Sequence, residues 1–272
     1  KVWSFSINGI LGAIVLFLSS YIFIYYYPLG VTGYLVAFIF SDVASFLFLS
    51  YKTRIWNYLS FKECSYSLLR MMLFYSLPLI PNMLSWWLIN ISSRYLIAGF
   101  CGLSMAGLFS SASKIPALLN IFTSIFQQSW QFASIKEYQE SKQSDFFSMV
   151  FQKYSFICLS ACSIIILMVP FISKIVLQGE FYKSWVYTPV LLFSALLGCY
   201  STFLGTFYSV VKDNVRGMKT TIYGAVINVV FCLCLIPLCG IFGALFANVI
   251  SYIIIVVTRV GDVKRYVDLK ID

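Results

Sequence analysis

Arg94 and Lys114 are cations in stretches apolar enough to sit in lipid, and that placement needs a chemical reason. Arg94 closes the segment "SWWLINISSR". A guanidinium matches phosphate geometry through paired N–H groups, so Arg94 can meet an anionic phosphate in a cavity. Equally, a long basic side chain near a helix end can reach back to the interface and anchor the span. Lys114 lies in "LFSSASKIPALL", about ten residues into an apolar segment, and Pro116 removes a backbone donor just after it. Reaching the interface is harder from there, so a cavity-facing lysine is expected. Asp42, in "IFSDVASF", is the one acid well inside an apolar run. It offers a site for a coupling ion or proton, or a polar helix–helix contact together with Ser41 and Ser45.

Other side chains suit a polar, uncharged ligand. Asn90 follows Trp86 by one helical turn, which makes one face of that segment amphipathic and fit for a water-filled cavity. Trp86 and Trp87 can stack on sugar rings or belong to an interfacial aromatic belt. Gln127 and Gln128, with Gln131 beyond them, can hydrogen-bond sugar hydroxyls or form an ordinary wet helix end. Pro78 and Pro81 should kink the helix that carries the tryptophans.

These residues need helices in lipid to hold them. The chain has 272 residues, of which 60% are hydrophobic and 11% charged, with a mean hydropathy of +0.87. A soluble domain carries about twice that charge fraction. Eight apolar segments fall at about 7–27, 31–51, 71–91, 104–128, 154–176, 187–211, 220–237 and 241–258, most near the ~20 residues that a spanning helix needs. The expected class is therefore an all-α integral membrane protein surrounded by membrane lipids. Strands would show short alternating segments instead.

The same composition excludes several functions. There is no histidine, which removes Ser-His-Asp and Cys-His catalysis as well as histidine-ligated metals. Cys158, Cys162, Cys199, Cys232 and Cys234 lie inside apolar runs, Cys64, Cys101 and Cys239 near segment ends, and no C-x-x-C pair exists. No metal, cofactor or disulfide framework is expected. The net charge is +9, but the basic residues are dispersed, so no nucleic-acid partner is expected. No phosphate-binding Gly-rich loop is present.

Orientation follows from lysine and arginine. If the first helix starts inside, the inside segments hold Lys1, Lys52, Arg54, Lys62, Arg70, Lys136, Lys142, Lys153, Lys212, Arg216, Lys219, Arg259, Lys264, Arg265 and Lys270, fifteen of nineteen. The segments 52–70, 131–153, 212–219 and the C-terminus are thus expected on the cytoplasmic face. Within 131–153, the mixed charges of 134–154 read as an amphipathic interfacial helix or a solvated connector. An internal repeat is also visible. Asn8 pairs with Asn228, Pro28 with Pro237, and Gly30-x-x-Gly33-x-Leu35 with Gly240-x-x-Gly243-x-Leu245. Both copies read as helix–tight turn–helix hairpins, and six spans separate them, as in a parallel repeat of two lobes. On that basis 1–51 holds the last two helices of an N-terminal lobe, 52–70 an inter-lobe linker, 71–258 a six-helix C-terminal lobe and 259–272 a tail. The sequence begins at Lys1, and it is expected to be a piece of a longer chain.

The phrases "SLPLIPNMLSWWLINISSRYLI" and "GLSMAGLFSSASKIPALLNIFTSIFQQSWQFASIKEY", with "FLGTFYSVVKDN" and "PLCGIFGALFANVISY", resemble a family. It is the polysaccharide-biosynthesis branch of the multidrug/oligosaccharidyl-lipid/polysaccharide flippase superfamily, which includes bacterial O-antigen and exopolysaccharide repeat-unit flippases. The likeness covers most of 70–270. It implies a two-lobed, MATE-like bundle in the bacterial inner membrane whose cavity opens alternately to either side. It implies an undecaprenyl-diphosphate-linked oligosaccharide as substrate, and a polymerase and glycosyltransferases of the same pathway as partners. Family members commonly place an acid immediately before the arginine, and here that position is Ser93.

Two other readings compete. A drug or cation antiporter of the same superfamily would prefer an acid-lined cavity, whereas the spans offer Asp42 against Lys114 and Arg94. A membrane polymerase or ligase would carry a sizeable outer loop with catalytic residues, and the outer connections here are short.

Overall fold

The computed structural model describes residues 2–54, 65–140, 144–177 and 179–265, and every regular element among them is helical. In chain order these are α1 Val2–Tyr21, α2 Gly30–Thr53, α3 Tyr66–Ser76, α4 Leu79–Cys101, α5 Leu103–Ala112, α6 Pro116–Glu140, α7 Ser144–Val176, α8 Thr188–Val210, α9 Asn214–Cys239 and α10 Ile241–Val263. A wide π turn, Ile22–Tyr26, extends α1, and a 3-10 segment, Gly179–Tyr187, leads into α8. Helices satisfy their own backbone groups, which lipid cannot do. Among the described residues seven stretches are long and apolar enough to cross a membrane, and the chain is an all-α, multi-pass membrane protein.

Where the structure departs from the apolar pattern, the cause is that apolar runs and helices need not begin and end together. The expected span 104–128 is two helices. α5 ends at Ala112, Ser113–Ile115 turn, and Pro116 opens α6, a position where the missing N–H costs nothing. α6 is 25 residues long but too polar to count among the seven apolar stretches. At Pro78, where a kink is expected, the helix is interrupted for two residues, α3 ending at Ser76 and α4 starting at Leu79 with Pro78 itself still in the right-handed helical region, while Pro81 sits in the first turn of α4. Most of 131–153 belongs to the ends of α6 and the 33-residue α7 rather than to a separate interfacial helix. Residues 212–219 are mostly α9, capped by Asp213, whose carboxylate accepts from the Arg216 N–H at 3.2 Å. The expected tail from 259 is helical through Val263, because α10 continues past its apolar run. The central part of the linker 52–70, residues 141–143 and the end of the tail from 266 lie outside the described residues.

The chain divides into two compact units, residues 1–69 and 70–272. In the first, α1 and α2 form a hairpin in which the Ser41 hydroxyl donates to the Gly12 carbonyl at 2.8 Å. The turn needs Gly30 at φ 56°. At Gly33 a Cβ would lie 2.8 Å from the Phe23 carbonyl oxygen. In the second unit, α9 and α10 repeat this arrangement. Gly240 has φ 57°, and a Cβ on Gly243 would collide with the Leu235 backbone. The two hairpins paired in the sequence thus share a turn glycine of positive φ and a glycine of close approach three residues later.

Within residues 70–272, α9 packs against α4 and α10, and α8 against α10, α6 and α7. The largest buried cluster lies among α6, α7 and α8, where Trp130 stacks on Phe203 with ring centroids 4.6 Å apart. Tyr154 of α7 adds a second ring to Phe203 at 5.2 Å. This cluster fixes the rotation of α6 and α8, and so fixes which residues of each face away from it.

Candidate functional site

Helical spacing sorts α8 into two faces. Cys199, Phe203 and Phe207 enter the buried cluster. Gly198, Thr202, Gly205 and Thr206 lie on the opposite side and line a cleft. α6 divides the same way: Trp130 is buried in the cluster, while Asn120, Gln127, Gln128 and Gln131 face the cleft. From α4, the i, i+4, i+8 series Trp86, Asn90 and Arg94 runs along the other wall. α10 contributes Asn248, Tyr252 and Arg259.

The cleft consists of three adjoining cavities. One of about 200 Å³ holds Asn82, Trp86, Gln127, Gln131, Thr206 and Arg259. A middle one of about 400 Å³ shares Gln127, Gln131 and Thr202 with the first. A third of about 200 Å³ shares Asn120 and Gly198 with the middle one and holds Asn90, Arg94, Asn248 and Tyr252. Arg94 lies eight residues beyond Trp86 on α4, about 12 Å along the helix axis. The two arginines therefore stand towards opposite ends of the cleft, and among the described residues lining the three cavities no carboxylate occurs.

The structure brings some of the sequence candidates together and leaves others apart. Trp86, Asn90, Arg94, Gln127 and Gln128 line the cleft. The Asn90 amide donates back to the Trp86 carbonyl at 2.8 Å, and the Gln127 amide donates to the Thr206 hydroxyl. Trp87, one residue from Trp86, is 56% exposed and outside the lining. Lys114 is exposed in the turn between α5 and α6, and does not line any of the three cavities. Asp42 is exposed on α2, and the α1–α2 contact is made by its neighbour Ser41 instead.

Ser93 and Arg94 point different ways. Ser93 is buried and donates to Asn248 at 3.2 Å. It belongs to a polar cluster in which Ser92 donates to Asn228 at 3.0 Å, and Asn228 donates to Asn248 at 2.7 Å and to Ser251 at 3.3 Å. This neutral network joins α4, α9 and α10 and reaches the cleft at Asn248, whereas Arg94 is exposed towards the cleft.

Arg259 is the residue that the sequence pattern concealed. Assigned by position to a tail, it is 3% exposed and sits inside the helical bundle. Its Nη1 donates to the Ser201 carbonyl at 2.6 Å, Nη2 to Thr221 at 2.8 Å and Nε to Thr220 at 3.2 Å. Its guanidinium carbon lies 5.7 Å from both the Trp86 and Tyr208 ring centroids. A signal was available: Ala244, Asn248, Ser251, Ile255, Arg259 and Val263 recur at steps of three or four, and all are buried.

No protein-family model matches the sequence, and no curated protein matches it. Its backbone, however, is similar to those of several solved structures. One is a multidrug resistance MATE family transporter of the MOP superfamily in an outward-facing conformation. It has a TM-score of 0.81 at 17% identity, over 98% of this chain and 63% of that one. A second is a MOP superfamily transporter from Pyrococcus furiosus, whose binding pocket is described as having reverse polarity that suggests a different function. It has a TM-score of 0.78 at 17% identity, over 96% and 62% of the two chains. A third is a multidrug resistance MATE family transporter in an inward-facing conformation, at 0.70 and 17% identity, over 96% and 64%. The chain therefore has the MATE-type fold and spans less than two thirds of the length of these structures.

Proposed function

We propose that this chain, built on the fold of MOP superfamily transporters, belongs to a membrane transporter of lipid-linked oligosaccharide. The substrate would be the undecaprenyl-diphosphate-linked repeat unit of O-antigen, capsule or exopolysaccharide. It would pass from the inner to the outer leaflet of the bacterial plasma membrane by alternating access, with no bond made or broken. The observation that carries this reading is the charge of the cleft: its charged lining residues are Arg94 and Arg259, with no carboxylate among the described ones. Arginine forks suit phosphate oxygens. Asn90, Gln127, Gln128 and the threonine hydroxyls supply the neutral donors and acceptors that sugar hydroxyls need, and Trp86 supplies a stacking face.

A cationic drug would meet two positive charges here with nothing to balance them. One structural neighbour is itself described as having a pocket of reverse polarity and a different function, which fits a fold whose pocket charge varies with its cargo. The distribution of lysine and arginine supports a cytoplasmic location for the α9 start and the α10 end; in that orientation Arg259 would lie towards the inner leaflet and Arg94 towards the outer. Asp42 is the candidate for coupling to an ion gradient. A polymerase and glycosyltransferases acting on the same glycan would be the pathway partners.

The test is made in the host cell. Arg94→Ala at the chromosomal locus is expected to lower surface polysaccharide at least about tenfold, the loss of one charge-assisted contact, with wild-type protein levels in the membrane. Undiminished surface polysaccharide would remove Arg94 from the substrate path.

A further inference from the structure

We infer that Arg259 is the phosphate-binding residue of the cavity at the inner end of the cleft, and that this cavity receives a diphosphate group. Three observations meet there. The first is charge without a counter-charge. Arg259 is buried, its three protein acceptors are neutral, and no carboxylate forms an ion pair with it among the described residues. The nearby acid, Asp262, accepts from the Tyr208 hydroxyl at 2.9 Å and faces Arg265 at 3.9 Å.

The second is unspent donor capacity. A guanidinium has five N–H groups, and one on each of Nη1 and Nη2 is left after the three bonds above. Two donors on a permanently charged group thus remain for oxygens of a phosphate.

The third is a cavity shaped around the group. α8 carries Gly205 where the guanidinium passes, and a Cβ there would lie 2.5 Å from Arg259 Nη1. In the same 200 Å³ cavity, Asn82 Oδ1 and Gln127 Oε1 are buried amide oxygens without a hydrogen-bond partner. Each amide can turn its NH₂ inward instead and donate to an anion, since rotation about its last torsion exchanges oxygen for nitrogen. Trp86 and Tyr208 each present a ring to the guanidinium at 5.7 Å, which restrains it before a ligand arrives. A cross-link serving only to join helices would need neither the open cavity nor the unused donors.

That the diphosphate belongs to the transported lipid rests on the flippase reading; that Arg259 holds a phosphate does not. The probe is farnesyl diphosphate, added to the full-length protein in phosphatidylcholine nanodiscs. Binding is read from tryptophan emission, with the Trp86→Phe variant subtracted. Expected is saturable binding, weakened at least about tenfold by Arg259→Met. Gln127→Glu, which puts a negative charge into the same cavity, is expected to weaken it as strongly while leaving Arg259 in place; a cooperative melt shows that this variant is folded, so it decides the matter if Arg259→Met does not fold. Competition by inorganic pyrophosphate shows that the anion alone suffices, and its failure beside Arg259-dependent farnesyl diphosphate binding shows that the phosphate must arrive on a lipid. Either outcome supports the site. No binding to the wild type, or equal binding by both variants, overturns it. Arg259-dependent binding without translocation of lipid-linked oligosaccharide leaves the site standing and removes the flippase reading. Unimpaired translocation by Arg259→Met does the reverse.

Discussion

The guanidinium of Arg259 lies over the ring of Trp86, 5.7 Å from its centroid, and so joins the α10 end of the bundle to the wall formed by α4. Trp86 also meets Tyr252 at 6.0 Å. One tryptophan thereby touches a cation and an aromatic ring of the same helix, while its neighbour Trp87 is 56% exposed.

This difference gives the first prediction. Trp86→Leu should cost about 1–2 kcal/mol through the lost cation–π contact, beyond any change at Trp87→Leu. Denaturant titration of the two variants in micelles measures it. Equal costs would mean that the ring stacking contributes nothing to stability.

Ser93 gives the second. Its hydroxyl lies in a neutral buried network with Asn248, and Arg94 faces the other way. Ser93→Asp would therefore bury a carboxylate without its neighbour's help, and about 3 kcal/mol of stability should be lost. A melting temperature equal to that of the wild type would show that Arg94 can turn to pair with it. Should added monovalent cation restore stability in this variant alone, the network's oxygens are close enough to share an ion with the new acid.

A third concerns the repeated hairpin. Gly240 holds φ 57° and ψ −133°, a conformation that essentially only glycine adopts, and Gly240→Ala should cost about 1–3 kcal/mol. Circular-dichroism melts of purified protein provide the measurement. No loss of stability would mean that the α9–α10 turn has room to adopt another conformation.

Much of the fold was legible because lipid imposes a simple rule: long apolar runs become helices. The hairpin glycines were legible for a related reason, since a tight turn between two spans narrows the choice of residue. Helix ends were harder to read. The runs at 220–237 and 241–258 stop where the apolar composition stops, yet α9 and α10 continue to Asn214 and Val263 because polar residues extend a helix as readily as apolar ones. α6 shows the limit most clearly. Its cleft-facing Gln127, Gln128 and Gln131 lower its hydropathy, so the same residues that mark the site obscure the helix.

The site was half visible. Trp86, Asn90 and Arg94 share a face at steps of four, and that spacing is plain in the sequence. Lys114 shows where spacing fails: the break before Pro116 changes the direction of the chain, and depth within an apolar run no longer gives the direction of the side chain. Arg259 was hidden by the opposite effect. Counting it among the basic residues beyond the last span treated it as a topology marker, although its step from Ile255 and to Val263 placed it on the buried stripe of α10. Basic residues near the end of a span need testing against helical phase before they are assigned to a loop.

The central claim is that the cleft carries an anionic, sugar-bearing lipid rather than a cation. Its direct measurement uses the full-length protein in proteoliposomes, following two cargoes in parallel under the same ion gradient. Appearance of undecaprenyl-diphosphate oligosaccharide at the outer leaflet is read by lectin accessibility, and movement of a lipophilic cationic dye by fluorescence. Expected is translocation of the oligosaccharide lipid, abolished by Arg94→Ala together with Arg259→Met, with the dye unmoved. Gradient-driven movement of the dye, with the oligosaccharide lipid left on the side where it was loaded, would contradict it.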